Sequence, residues 1–359
     1  NALMGNVYAG RELTRESVDA AWEPGRVVAV KVMRKECVLL RRKMADGSRV
    51  ANEHPLAEIA TMQRMRECPH LMGALAVLED ALNVFVVMPF GGDAIDYMRG
   101  APPYRLPEEV AKGVFRQIVQ GVCYMHEHGL VHRDLSLENV VLAEDGEGGL
   151  TARIIDFGAA WAMPLPEHGP APRVRVGKFG YFPPEVYHRE DIADARVMDA
   201  WTLGVMLFGM LHGALLYTSP KVGDGFFGAI HAGNLREAIQ EEKRFRGLAS
   251  DQAVDLIFQL LNVNQAERLA CSEILSHPWL ADDQAAVTAA AAAAGRHGAE
   301  GMGDGGQGGG EAMPLGEAGA AAPPLAAPHV LRAGTEIGWL VGSCPVRVES
   351  AEVVNGVHA

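Results

Sequence analysis

The sequence predicts an α+β chain of two lobes, a small β-rich one followed by a larger α-helical one, with a disordered tail behind them. Three observations carry this. Val27-Val28-Ala29-Val30-Lys31-Val32 and Val84-Phe85-Val86-Val87-Met88 are β-rich runs of strand length. After Gly92 the apolar residues recur at three- or four-residue spacing, the period of a helix face. After Leu280 the chain turns to alanine and glycine, with 17 Ala and 11 Gly among residues 281–330, and little is left to bury.

The elements follow in order. Between the two strand runs, a helical pattern from about Glu53 to Arg66 puts Leu56, Ile59, Met62 and Met65 on one face. Pro107 suits the opening of a helix, where its missing N–H costs nothing, and Val110, Val114, Ile118, Val122 and Met125 then share a stripe. The run from Ala200 to Tyr217 is apolar throughout, yet it holds Thr202, His212 and three glycines and is short for the ~20 residues of a membrane span. A fully buried core helix is expected there instead. The expected organisation is a small lobe over 1–92, a large lobe over 93–280, an Ala/Gly-rich linker over 281–329 and a tail over 330–359. The tail regains apolar residues at Ile337, Trp339, Leu340 and Val341, whereas the run Ala285 to Ala294 has no apolar stripe to dock.

Composition narrows the function. With 359 residues, 48% of them hydrophobic and 21% charged, the chain can bury a sizeable core, which excludes whole-chain disorder. A net charge of -13 argues against nucleic acid or an anionic membrane as partner and for a basic one. Cys37, Cys68, Cys123, Cys271 and Cys344 are odd in number, far apart and without C-x-x-C spacing, which favours inert thiols in a reducing, intracellular and cytoplasmic setting over disulfides or zinc. No basic n-region or apolar h-region follows Asn1, so no signal peptide is expected, and the opening without Met is expected of a fragment.

The chemistry gathers at the start of the helical lobe. His132-Arg133-Asp134-Leu135-Ser136-Leu137-Glu138-Asn139 is followed, seventeen residues after Asn139, by Asp156-Phe157-Gly158 at the end of the apolar strand Arg153-Ile154-Ile155. Two acids and an Asn brought together from two loops can hold Mg²⁺ across phosphates and orient a hydroxyl nucleophile. Alone, Asp-Phe-Gly reads as a turn and His-Arg-Asp as a charged loop. Their order and spacing, with Lys31 upstream in Val-Ala-Val-Lys, make coincidence improbable.

This set resembles the signature motifs of the eukaryotic protein kinases over roughly Gly5 to Leu280. The resemblance implies a bilobal protein kinase fold that uses ATP and Mg²⁺. It gives Lys31 the α- and β-phosphates and Glu58 the role of its ion-pair partner, with Glu53 as a less favoured rival. It makes Asp134 the acceptor of the substrate hydroxyl proton, Asn139 and Asp156 the magnesium ligands, and Arg133 a brace for the activation segment. Around the nucleotide it places Gly5, Val7, Ala29 and the gatekeeper Met88, together with Asp93, Glu138 and Val141. Tyr181-Phe182-Pro183-Pro184-Glu185 resembles the segment-closing motif, Asp199 to Gly204 the start of a buried central helix, and Arg268 the partner of Glu185.

Departures from that pattern are as informative. If Gly5 is the third glycine of the phosphate lid, Ala2 stands at the second and the first lies before Asn1, so the lid is incomplete. The hinge Pro89-Phe90-Gly91-Gly92 is short, and Pro89 offers no donor. Relatives carry Lys two residues after the catalytic Asp and Thr in the Gly-Thr segment. Here Ser136 and Lys178 stand there, the hydroxyl and the amine exchanged. Between Gly158 and Tyr181 there is no Ser or Thr to phosphorylate, and Glu167 is the one carboxylate, a candidate fixed substitute. The basic stretch with Arg34, Lys35, Arg41, Arg42, Lys43 and Arg49 reads as a solvated loop or a dock for an acidic partner.

The resulting expectation is a Ser/Thr protein kinase, similar to the calmodulin-dependent and AMP-activated types through His277-Pro278-Trp279, acting on basic protein substrates with an upstream Arg held by Asp93 and Glu138. Asp93 has a competing role on the ATP ribose, and Glu138 none. The alternative is a pseudokinase or scaffolding module with little turnover.

Overall fold

The computed structural model describes residues 6–14, 23–35, 55–100, 102–144, 149–163, 176–192, 194–221, 223–281 and 346–347. The predicted linker, Glu53, Gly5, Glu167, Cys37, Cys344 and most of the basic stretch lie outside them. Strands β1 (Asn6–Thr14), β2 (Glu23–Arg34), β3 (Ala76–Glu79) and β4 (Asn83–Pro89) pair antiparallel in the order β1-β2-β4-β3. The two-residue strand Val346–Arg347 adds to the outer edge of β1, Arg11 opposite Arg347.

The two-residue period of a strand sorts β2. Val28 and Val30 pack with Leu78 and Val87 in one cluster. Met33 joins the opposite side, with Val84 and Val86, in the core that contains Ile59, Met62 and Met65 of helix α1 (Pro55–Arg64) and its end. Lys31, between Val30 and Val32 and in phase with Met33, therefore falls on the α1 side. Leu56, expected on the buried stripe, is 46% exposed: the buried first-turn residues are Pro55 and Glu58.

The second lobe is built on helices. After β5 (Gly92–Asp93) and α2 (Ala94–Arg99) comes α3 (Glu108–Glu127), with Pro107 at its N-cap as the sequence predicts. Val114, Ile118, Val122 and Met125 are buried, but Val110 is 37% exposed because Ala111 takes the first-turn contact. A short β6 (Leu130–Val131) leads into the His132 loop, a 3-10 turn (Leu137–Asn139), β7 (Val140–Glu144) and β8 (Leu150–Ile154). The 3-10 turn Phe157–Ala159, β9 (Trp161–Ala162) and the 3-10 turn Phe179–Tyr181 follow, then α4 (Pro184–His188) and α5 (Arg196–His212). The lobe closes with α6 (Gly225–Ala232), α7 (Leu235–Glu241), α8 (Asp251–Leu260) and α9 (Cys271–Ile274).

Every residue of α5 from Met198 to His212 is buried, so the apolar run is core to that point, as expected, but the helix stops there at the left-handed Gly213 and Leu215, within the predicted run, is 50% exposed; among the described residues no helix is long and apolar enough to cross a membrane. Arg268 donates to Glu185 at 2.6 and 3.0 Å, both side chains almost fully buried, tying α4 to the end of the lobe. Cys68, Cys123 and Cys271 are free thiols, and burial pushes their pKa values up, that of Cys123 to about 11. Little thiolate forms at neutral pH, which fits inert cysteines.

Asp199, near the start of α5, positions the loop that carries the chemistry. Its carboxylate accepts from the backbone N–H groups of His132 and Arg133, each at 2.9 Å, and lies 2.9 Å from His126 Nε2. Arg133 is thereby held at φ 66°, a left-handed conformation that costs a side-chain-bearing residue roughly 1–2 kcal/mol. Burial alone would raise the pKa of Asp199. The hydrogen bond and charge of His126, the nearby His132 and the Arg133 N–H outweigh burial and hold it below the ordinary value.

A carboxylate depressed in the folded state stabilises above its unfolded pKa, and that contribution is lost as pH falls through the folded pKa. Asp199→Asn should therefore destabilise the chain at neutral pH, and the gap to wild type in urea unfolding should narrow below about pH 4, where the carboxyl of the unfolded chain begins to protonate while that of the folded chain is still charged. A gap that stays constant from pH 7 to pH 3 would contradict this.

Candidate active site

Lys31 meets Glu58 across the small lobe. Its Nζ donates to both carboxylate oxygens at 2.7 and 2.8 Å, with side chains 16% and 6% exposed. Glu58, the expected partner, is thus in contact with Lys31. Lys31 sits opposite Val7 in the β1–β2 ladder, and Ala29 opposite Met88 in the β2–β4 ladder. Val141, buried on β7, approaches from the other lobe: a Cβ added at Gly91 would lie 2.4 Å from Val141 Cγ1 and 3.0 Å from the Leu142 carbonyl. The chain between the lobes can pass this close to β7 only with glycine at that point. Asp93, next along, caps α2 by accepting from the Asp96 N–H at 2.7 Å, and burial raises its pKa.

The loop after β6 is packed from within. The ring of His132, fully buried, stands edge-on to Phe157 at 5.6 Å between centroids, and its Nε2 lies 3.1 Å from the Ile155 carbonyl. Asp156 adopts φ 63° and ψ 74° and accepts from the Gly158 N–H at 3.3 Å, so burying Phe157 turns the Asp156 carboxylate into a fixed orientation. Asn139 Nδ2 donates to the Asp134 carbonyl at 2.7 Å and to its Oδ2 at 3.2 Å. Asp134 Oδ1 is buried with no hydrogen-bond partner among the described residues. Burial raises the Asp134 pKa, His132 and Lys178 oppose that, and the charge of Asp156 adds to it.

The residues present suit a magnesium ion. Asn139 and Asp156 supply hard oxygen donors, and Mg²⁺ takes one or two protein oxygens while completing its octahedron with water and phosphate. Among the described residues no cluster of three or more His, Cys, Asp or Glu would cage a metal by itself.

Ser136 and Lys178, forty-two residues apart, are in direct contact: Lys178 Nζ donates to Ser136 Oγ at 2.8 Å. Gly177 delivers Lys178 through φ 104°, and a Cβ there would lie 2.9 Å from the Arg133 carbonyl. Glu138, expected to be free of other duties, is already engaged. Its Oε2 lies 3.6 Å from Lys178 Nζ, which brings a cation to the carboxylate's side, and accepts from the Tyr181 hydroxyl at 3.3 Å. Arg133 donates through Nε to the Ala159 carbonyl at 2.8 Å and lies 5.9 Å from the Trp161 ring centre, bracing the start of the segment. Sequence reasoning missed the Tyr181 hydroxyl and the carboxylate of Asp199 as positioning groups, since their partners are 43 and 66–67 residues away and no local spacing marks them.

The protein kinase domain family matches residues 17–280. The chain is 34% identical over 287 residues to CBL-interacting protein kinase 4 of Oryza sativa subsp. japonica, covering 77% of this chain and 58% of that one. It is 33% identical over 258 residues to NUAK family SNF1-like kinase 2 of Rattus norvegicus (71% and 36%), and 30% identical over 276 residues to Serine/threonine-protein kinase PLK4 of Nematostella vectensis (76% and 24%). The chain thus spans between about a quarter and three fifths of the length of these curated relatives. Their type matches the AMP-activated-like character read from the sequence, and the chain belongs to the protein kinase domain family.

Proposed function

We propose that the chain is an ATP- and Mg²⁺-dependent protein kinase that phosphorylates Ser or Thr. The observation that carries this reading is the paired arrangement of Lys31 with Glu58 in one lobe and Asp134, Asn139 and Asp156 in the other. The substrate hydroxyl oxygen forms a bond to the γ-phosphorus as the bond to the β–γ bridging oxygen breaks, ADP leaves, and the hydroxyl proton passes to the Asp134 carboxylate. Asn139 holds that carboxylate in place. Lys31, anchored by Glu58, fixes the α- and β-phosphates. Magnesium held by Asn139 and Asp156 would supply charge to neutralise the phosphates.

Val7, Ala29, Met88 and Val141 fit the faces of the adenine, with Gly5 at the lid. Asp93 is suited to a ribose hydroxyl and, with Glu138, to a guanidinium upstream of the phosphorylated residue. Basic protein substrates, a cytoplasmic location and the division into a domain over 1–280, a linker over 281–329 and a tail over 330–359 belong to the same reading. The alternative, a binding module with little turnover, is favoured by one feature: Ser136 stands where relatives have a cation on the loop itself. Lys178, donating to Ser136, supplies that cation from the other side.

Transfer of labelled phosphate from ATP to a basic Ser peptide by the wild-type chain, abolished in Asp156→Asn, is the expected result, and no transfer by either would favour the binding module. Lys178→Ala should lower turnover at least about tenfold, roughly 1.4 kcal/mol of barrier, with little change in ATP affinity. Because Lys178 lowers the Asp134 pKa, its removal favours the protonated acid, so the acid limb of the kcat profile should move to higher pH. An unmoved limb and unchanged turnover would discard this role. With no Ser or Thr between Gly158 and Tyr181, phosphatase-treated protein should keep its activity, and loss of activity on treatment would contradict that.

A further inference from the structure

We infer that Glu138 and Lys178 form a latch that a substrate guanidinium opens, so that an upstream arginine accelerates the transfer step itself. The inference rests on the kinase reading above and adds regulation of the same site by its substrate. Four side chains define the latch. Lys178 Nζ donates to Ser136 Oγ at 2.8 Å and stands 3.6 Å from Glu138 Oε2; that same oxygen accepts from the Tyr181 hydroxyl at 3.3 Å, and the Leu137 N–H donates to the Tyr181 oxygen at 3.4 Å.

The fixed and movable parts differ. Ser136 is fully buried and Tyr181 is 4% exposed, so both are held by the lobe. Glu138 is tethered to Tyr181 and cannot leave without breaking that bond. Lys178 carries its ammonium on a flexible four-carbon stem with three donors, and its side chain is 28% exposed against 33% for Glu138, so both ends of the pair reach solvent. Lys178 follows Gly177, where an added Cβ would lie 3.4 Å from Asp134 Oδ1, so the lysine leaves the backbone beside the reacting hydroxyl's acceptor, and its charge acts on Asp134.

With Glu138 at 3.6 Å the ammonium is partly neutralised, and a partly neutralised cation is a poor counter-charge for a phosphoryl group in transfer. A guanidinium binds a carboxylate through two parallel hydrogen bonds, a better match than a single ammonium. When a substrate arginine takes Glu138, the ammonium is released from its competitor and turns to the transferring group. Arginine then stabilises the transition state more than the bound ground state, which separates this device from a pocket that only tightens binding.

The test is a single-turnover measurement on the full chain with two saturating peptides that differ only in Arg or Ala upstream of the Ser. For wild type the transfer rate constant should be at least about fivefold higher with Arg. Glu138→Gln should bring the ratio close to one by raising the rate on the alanine peptide. Lys178→Ala should also bring it close to one, with both rates low and the affinity advantage of the arginine peptide kept, because Glu138 is still present. An arginine effect confined to KM in wild type, or a rate ratio that survives in Lys178→Ala, would overturn the latch while leaving the kinase reading intact. Absence of transfer to both peptides by the wild-type chain would overturn that reading and the latch with it.

Discussion

The buried carboxylate of Asp199 is the constraint on which the rest of the site depends. Two consecutive backbone N–H groups, those of His132 and Arg133, converge on it, and a loop residue other than glycine is kept left-handed as a result. That conformation turns Asp134 back toward Asn139 and sends the Arg133 side chain toward Ala159. The carboxylate stays charged inside the core because its partners supply what water would have supplied. The burial of helix α5 from Met198 onward makes this possible, since a charge on a frayed or exposed helix could not hold two loop N–H groups at 2.9 Å. The apolar run from Ala200 onward and the polar loop from His132 onward are thus one device.

A second constraint is the contact between a hydroxyl on the loop and an amine on the segment. A hydroxyl on the loop and an amine on the segment make the same contact that an amine on the loop and a hydroxyl on the segment would make. The consequences differ nonetheless. An amine on the loop is supported by the buried turn Leu137–Asn139, whereas Lys178 reaches the site through the left-handed Gly177, whose Cβ position is closed off by the Arg133 carbonyl. The cation is therefore present only when the segment lies against the loop, and it arrives beside Glu138. Charge placement and segment placement become the same event.

The expectations that needed correction share a cause. Leu56 and Val110 each begin an apolar stripe in sequence and yet lie exposed, because in the first turn of a helix the buried direction is set by the neighbouring element and by Pro55 or Ala111. Glu138, read as uncommitted, is committed by Lys178 and Tyr181, residues forty and more positions away. Periodicity describes one element at a time, and it is silent about which end of an element another one covers.

By itself the sequence determined the two-lobe α+β architecture and the burial of the helix that runs from Ala200 to His212. These follow from local period, from composition and from short motifs whose residues are neighbours in the chain. The family resemblance singled out Ser136 and Lys178 as a pair. Only the tertiary structure decided that Ser136 and Lys178 touch, that Glu138 and Tyr181 complete a four-residue cluster with them, that Glu58 is in contact with Lys31, and that Asp199 holds the loop. Each of those contacts closes a chain loop of 27 to 67 residues, and which side chains meet across such a distance is set by the packing of the elements between them rather than by their spacing.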